Sequence, residues 1–271
     1  MMVMALLCCG AATARPMVSP NGKLTLDVKN GQLVIAYQGQ QVLQMKEAEA
    51  ALPLKAMKAK KVKADYTMLS GKRSHCTNEA NEYRMGQMTL RLYNDGLAYR
   101  YESPVKEQAA YVIPVGMKRW MMQWTDGAEN FYPLTTTHKV QAQRSFSAVS
   151  KDADGNCVRW SFPVLLEPRD GVFALLTEAN IEKGQSASSL YNDGEIFRVV
   201  PDEGENKANS PWRVVIVGTL ADIVESTLVT DVSDPCKLED TSWIKPGVVS
   251  WVYWAYNHGS DDYNIIKKYT I

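Results

Sequence analysis

The chain has 271 residues, with 30 basic and 30 acidic side chains and a formal net charge of zero. That balance leaves no basic footprint for nucleic acid and no cationic patch for an anionic membrane surface. With 45% apolar residues and seven tryptophans, the composition is that of a folded globule with a large core, sized for one large β domain or two ordinary ones.

Met1 to Ala14 is a short apolar run ending in Ala12-Thr13-Ala14. Signal peptidase admits only small side chains there, so residues 1–14 are predicted to be a signal peptide. The mature chain is then expected to begin at Arg15 and to reach the periplasm. The run is too short to span a bilayer, and the residues before Cys8 and Cys9 fit a lipid-attachment box poorly. Cys76, Cys157 and Cys236 remain after cleavage. Three widely spaced cysteines without a CxxC pair are neither a disulfide framework nor a zinc site, and they read as buried or inert thiols.

From Ser19 onward the hydrophobic period is two. Leu24, Leu26 and Val28 alternate with polar residues, and Asn30-Gly31 turns the chain into Leu33–Tyr37. Asn-Gly between apolar runs is the strongest short-range hairpin signal, because both turn positions need positive φ. An Ala/Lys-rich stretch from Glu47 to Lys63 suits a short helix or a loop. Met88–Tyr93 repeats the strand pattern, and Asn94-Asp95-Gly96 turns it into Leu97–Glu102. Trp120 and Trp124 read as packing residues. Val158–Leu166, Val172–Leu176 and Trp212–Val217 read as further strands, and Tyr191-Asn192-Asp193-Gly194 as a turn. Asp95 and Asp193 are explained by their turns and receive no catalytic role. Many short strands with turns between them predict a sandwich or barrel.

The pattern changes near Asp240. Val248–Trp254 is nearly continuous in apolar residues, as in strands buried on both faces. Asn257-His258-Gly259-Ser260 reads as a loop, and Asp261–Tyr269 as a helix start with Tyr263, Ile266 and Lys267 one turn apart. Strand, loop and helix are the opening unit of a (β/α) domain.

Several segments, in this order, resemble glycoside hydrolase family 97, a family of exported bacterial α-glycosidases. They are Ser19-Pro20-Asn21-Gly22-Lys23-Leu24, Tyr93 to Tyr101, Asn130-Phe131-Tyr132-Pro133, Leu176-Thr177-Glu178-Ala179-Asn180, Ser210-Pro211-Trp212-Arg213 and Trp243-Ile244-Lys245-Pro246-Gly247. The resemblance implies a mainly β fold. An N-terminal β-supersandwich of the galactose mutarotase kind would occupy residues 15–242, and residues 243–271 would be the first βα unit of a truncated catalytic (β/α)8 barrel. The family's catalytic carboxylates sit on later barrel strands, so no catalytic residue is expected before residue 271 and the chain alone should be inactive.

The resemblance also implies a calcium ion at the active site, with Glu178 as the ligand that the sandwich contributes. Calcium takes carboxylate and carbonyl oxygens gathered from several segments. With the other donors missing, the Glu178 carboxylate is expected at a strand end on the sandwich surface, facing the barrel segment around Tyr256 to His258, and underused. A glutamate in that place is more often simply solvated, and Asn180 beside it is more often a turn residue. Asn257 and His258, at the end of the expected barrel strand, are the candidate contacts to an α-linked oligosaccharide, since barrel active sites form at that face. Trp251, Tyr253 and Trp254 read first as core. Trp251 to Ser260 resembles the retaining α-galactosidase branch more than the inverting α-glucosidase branch. Two rival classes are a non-catalytic carbohydrate-binding module and a mutarotase-like sugar epimerase. The first leaves the barrel opening unexplained. The second needs a positioned acid and base, and His75, His138 and His258 match no such motif.

Overall fold

The computed structural model describes residues 16–46, 58–102, 107–125, 127–143, 150–204, 209–245, 247–248 and 262–269. By its internal contacts the chain divides into two units, Met1–Asp234 and Pro235–Ile271.

The first unit is built from antiparallel hairpins. Strands β1 (Met17–Val18), β2 (Leu24–Lys29), β3 (Gln32–Tyr37) and β4 (Gln40–Met45) form one meander. Its β2–β3 turn has both Asn30 (φ 51°) and Gly31 (φ 73°) in the left-handed region, as the Asn-Gly signal required. A second meander comprises β5 (Lys60–Thr67), β6 (His75–Met85), β7 (Met88–Tyr93) and β8 (Gly96–Tyr101). The remaining strands are β9 (Ala110–Val112), β10 (Lys118–Gln123), β11 (Leu134–Thr135), β12 (Arg159–Arg169), β13 (Val172–Ala179), β14 (Ser188–Asp193), β15 (Ile196–Pro201) and β16 (Trp212–Gly218). One hydrogen-bonded path runs β1-β2-β3-β4-β9-β15-β14-β12-β13-β16-β8-β7-β6-β5, with β10 and β11 branching from β12.

The path curls until its ends meet. The Val18 N–H donates to the Tyr83 hydroxyl at 3.1 Å, and Asn81 Nδ2 donates back to the Val18 carbonyl at 2.8 Å. Its two halves therefore face each other across one core, in which Leu26, Ile35 and Leu43 pack with Leu90, Leu97, Tyr99, Leu176 and Val215. This is the mainly β architecture that the alternation predicted.

β16 is buried along its whole length. Its odd-numbered residues Val215 and Val217 face that core. Its even-numbered residues Trp212, Val214 and Ile216 face a second, smaller cluster with Ile223, Leu228 and Val232. These come from and follow two short helices, α1 (Leu220–Glu225) and α2 (Leu228–Asp231), which cover the outer face. Thr219 starts α1 with a capping box: its hydroxyl accepts from the Asp222 N–H, and the Asp222 carboxylate accepts from the Thr219 N–H. Helices of six and four residues carry too little periodicity to be legible in the sequence.

Other local expectations change. Lys60–Lys63, placed in a helix or loop, opens strand β5; residues 47–57 lie outside the described residues. The β7–β8 turn forms without positive φ at Asn94, Asp95 or Gly96. Gly96 is needed there for close approach: a Cβ would overlap the Val215 carbonyl oxygen and lie 2.6 Å from Leu228 Cδ2. Cys76 and Cys157 are buried free thiols, whereas Cys236 is exposed.

In the second unit, Tyr263–Tyr269 forms the expected helix, α3. The apolar run Val248–Trp254 lies, after its first residue, outside the described residues. Among the described residues no helix is long and apolar enough to cross a membrane.

Candidate functional site

Glu178 is the penultimate residue of β13, in register with Arg213 on β16. Strand alternation puts Glu178 on the face of Ala174 and Leu176, and Arg213 on the face of Val215 and Val217. Both charges thus occupy core-facing positions near the end of a ladder whose other core-facing rungs, Ala174 with Val217 and Leu176 with Val215, are apolar. Arg213 is 0% exposed, and the Glu107 and Glu178 side chains are 5% and 11% exposed.

A charge taken out of water is tolerated only when paired and fully hydrogen-bonded, and this one is. Arg213 Nε donates to Glu107 Oε1 and Nη2 to Glu107 Oε2, each at 2.6 Å, in a two-point fork. Nη2 also donates to Ser188 Oγ at 3.0 Å, and Nη1 pairs with Glu178 Oε2. The other Glu178 oxygen, Oε1, accepts the Ser188 N–H at 3.1 Å. Glu178 lies near the strand end as expected, but it faces the core and is 11% exposed rather than on the surface, and the carboxylate is not underused: each oxygen already holds one donor.

The charges do not balance. Two carboxylates against one guanidinium leave one negative charge among the described residues. Burial pushes the Glu178 carboxyl above its ordinary value, although Arg213 and the Ser188 N–H pull it down. Burial works against the Arg213 cation too, but the Glu107 hydrogen bonds and charge outweigh it and raise that group further.

A calcium ion, implied by the family resemblance, would find one oxygen donor here in the Glu178 carboxylate. The unbalanced charge has the right sign, and a carboxylate oxygen that has accepted one hydrogen bond keeps a further lone pair. No group of three or more His, Cys, Asp or Glu that could hold a metal occurs among the described residues, so a calcium ion would need its other donors from outside them. Asn257 and His258, with Trp251, Tyr253 and Trp254, lie outside the described residues.

Sequence reasoning missed Arg213 as a site residue and missed Glu107 altogether. Arg213 had a signal: a charged residue inside the apolar run Trp212–Val217 must be paired if the strand is buried on both faces. Glu107 had none, because it lies 106 positions from its partner. Asn180 follows β13 with φ 53°, and its Oδ1 accepts the Asp234 N–H at 2.9 Å. Trp120 packs on Phe173 at 6.3 Å, and the Arg159 guanidinium lies 3.5 Å above the Trp124 ring.

A second polar cluster joins Asp95 and Asp231 through Asn78, whose Nδ2 donates to both at 3.2 and 2.7 Å. Ser226 donates to Asp95 and Tyr66 to Asp231, each at 2.7 Å. Asp95 thus does more than turn the chain: it fastens the β7–β8 hairpin to α1 and α2. Neutral donors satisfy these carboxylates, so the cluster reads as a fastening.

The family model described as Glycosyl-hydrolase 97 N-terminal matches residues 17–235. A probable retaining alpha-galactosidase of Streptomyces bingchenggensis is 29% identical over 62% of this chain and 26% of its own length. A retaining alpha-galactosidase of Bacteroides thetaiotaomicron is 25% identical over 61% of this chain and 30% of its own. The chain therefore spans about a quarter to a third of these relatives. Among solved structures, a glycoside hydrolase family 97 enzyme from Pseudoalteromonas sp. strain K8 in complex with acarbose is 18% identical with a TM-score of 0.67. That match covers 86% of this chain and 40% of the other. A beta-arabinopyranosidase structure is 19% identical with a TM-score of 0.63, covering 94% and 48%. At these identities the likeness to solved structures is one of fold.

Proposed function

This chain belongs to the glycosyl-hydrolase 97 N-terminal family, and from that membership we propose that it is the front of an exported, calcium-dependent α-glycoside hydrolase. In this reading residues 1–14 are the signal peptide, residues 15–242 the β-supersandwich, and residues 243–271 the start of the catalytic barrel. The observation that carries the reading is the family match over residues 17–235. The two curated relatives named as α-galactosidases favour that activity over an α-glucosidase, in agreement with the resemblance of Trp251 to Ser260 to the retaining branch.

The sandwich's part is to supply and hold a ligand. Glu178 would serve as one calcium donor, and Asn257 and His258 would contact the α-linked oligosaccharide. When bound, calcium supplies a positive charge that orients sugar hydroxyls and offsets charge as the glycosidic bond breaks. Glu178 reaches that role from a carboxylate already held at both oxygens by Ser188 and Arg213.

The test compares the 271-residue chain with a form extended through the downstream reading frame, on nitrophenyl α-galactoside and α-glucoside. The extended form is expected to hydrolyse the α-galactoside only with calcium present, and the chain alone to hydrolyse neither. Turnover by the chain alone would overturn the domain assignment. Amino-terminal sequencing of the secreted protein should begin near Arg15, and material still starting at Met1 counts against export.

A further inference from the structure

The Glu178 carboxylate is gripped by a cation that cannot itself move. Two of the three guanidinium nitrogens of Arg213 are engaged by the Glu107 fork, each at 2.6 Å. Ser188 Oγ takes a second bond from Nη2 at 3.0 Å, which leaves Nη1 for Glu178 Oε2. With no exposed surface on Arg213, swinging it away would break four polar contacts of a buried cation, where each unmade bond is costly. Ser188 closes the grip from the other side, its N–H holding Glu178 Oε1 while its hydroxyl holds Arg213. Both carboxylate oxygens are therefore anchored inward. The lone pairs that remain have a set direction, and the surplus negative charge stays on the cluster.

We infer that Arg213, locked in place by Glu107, is the positioning residue that aims Glu178 at the calcium ion. The inference rests on the proposal that Glu178 is a ligand in the intact enzyme. Groups behind a metal ligand fix its orientation, and their loss typically lowers metal affinity 10- to 100-fold. Arginine is required because the fork needs a planar group with parallel donors; a lysine ammonium would keep the charge and lose the second contact to Glu107.

The experiment uses the full-length protein and three variants, Glu107→Gln, Arg213→Lys and Glu178→Gln, with folding checked by circular dichroism. Calcium affinity is read from calorimetry and from the calcium dependence of the melting temperature, and activity is followed as calcium is raised. Glu107→Gln and Arg213→Lys are each expected to weaken calcium binding by about tenfold or more, with activity recovering as calcium approaches saturation. A purely structural role predicts a lower melting temperature without calcium and an unchanged calcium midpoint. If Glu178→Gln weakens binding while Glu107→Gln and Arg213→Lys leave it unchanged, the positioning role falls and the ligand stands. If Glu178→Gln leaves affinity unchanged, the ligand reading falls and the positioning role with it.

Discussion

Glu178 and Arg213 stand opposite each other across the β13–β16 ladder, in the two register positions that alternation reserves for the core. The pair sits where apolar rungs end, and Glu107 completes it from a segment remote in sequence. Replacing Arg213 with methionine would leave two buried carboxylates without a cation. Breaking a buried pair in this way costs about 3–5 kcal/mol. Urea denaturation of the 271-residue chain should show that loss at neutral pH. A cost of 1 kcal/mol or less would mean that water reaches the cluster.

Gly96→Ala should destabilise the chain without touching any charge. The added methyl group meets the Val215 backbone oxygen and the Leu228 side chain, and a strand backbone in the middle of a sheet cannot yield. Overpacking of this kind costs about 1–3 kcal/mol. The melting temperature of the alanine variant is the check, and an unchanged value would show that β8 and β16 are further apart.

Glu102 should control part of the acid limb of stability. Burial lifts its carboxyl, but the Thr89 hydroxyl at 2.7 Å and the Arg100 guanidinium at 3.3 Å outweigh burial and hold it below the ordinary range. Because the folded value lies below the unfolded one, its contribution is present above the ordinary glutamate value, about 4.3. It is lost as pH falls through the folded value. In Glu102→Gln, the drop in unfolding free energy between pH 7 and pH 3 should be smaller than in the parent chain. An equal drop would remove Glu102 from the account.

Thiol labelling should separate the three cysteines expected in the mature chain. The thiolate is the reactive form, and burial pushes the Cys157 thiol up to about 11. Cys76 is buried as well, while Cys236 is exposed. Maleimide treatment at pH 7 followed by peptide mapping should modify Cys236 in the native protein, and Cys76 and Cys157 only in denaturant. Native labelling of Cys157 would show that the segment before β12 opens readily.

Much of this fold was legible because β structure writes itself locally. Period-two alternation marked β2, β7 and β8, Asn30-Gly31 marked a hairpin with both residues at positive φ, and the largely apolar run Trp212–Val217 marked β16 as a strand. These signals depend on neighbours within a few residues, where backbone sterics and burial act directly on the chain. The order of strands was not legible. β9 sits between β4 and β15, and β16 between β13 and β8, because pairing is decided by which apolar faces can close over one core. The site divides along the same line. Glu178 could be singled out from its own segment, but that segment says nothing of Arg213, 35 positions on, or of Glu107, 71 positions back. An ion pair in a core is a bargain between distant residues: each charge is tolerable only because the fold delivers the other, and only the tertiary structure could show that delivery.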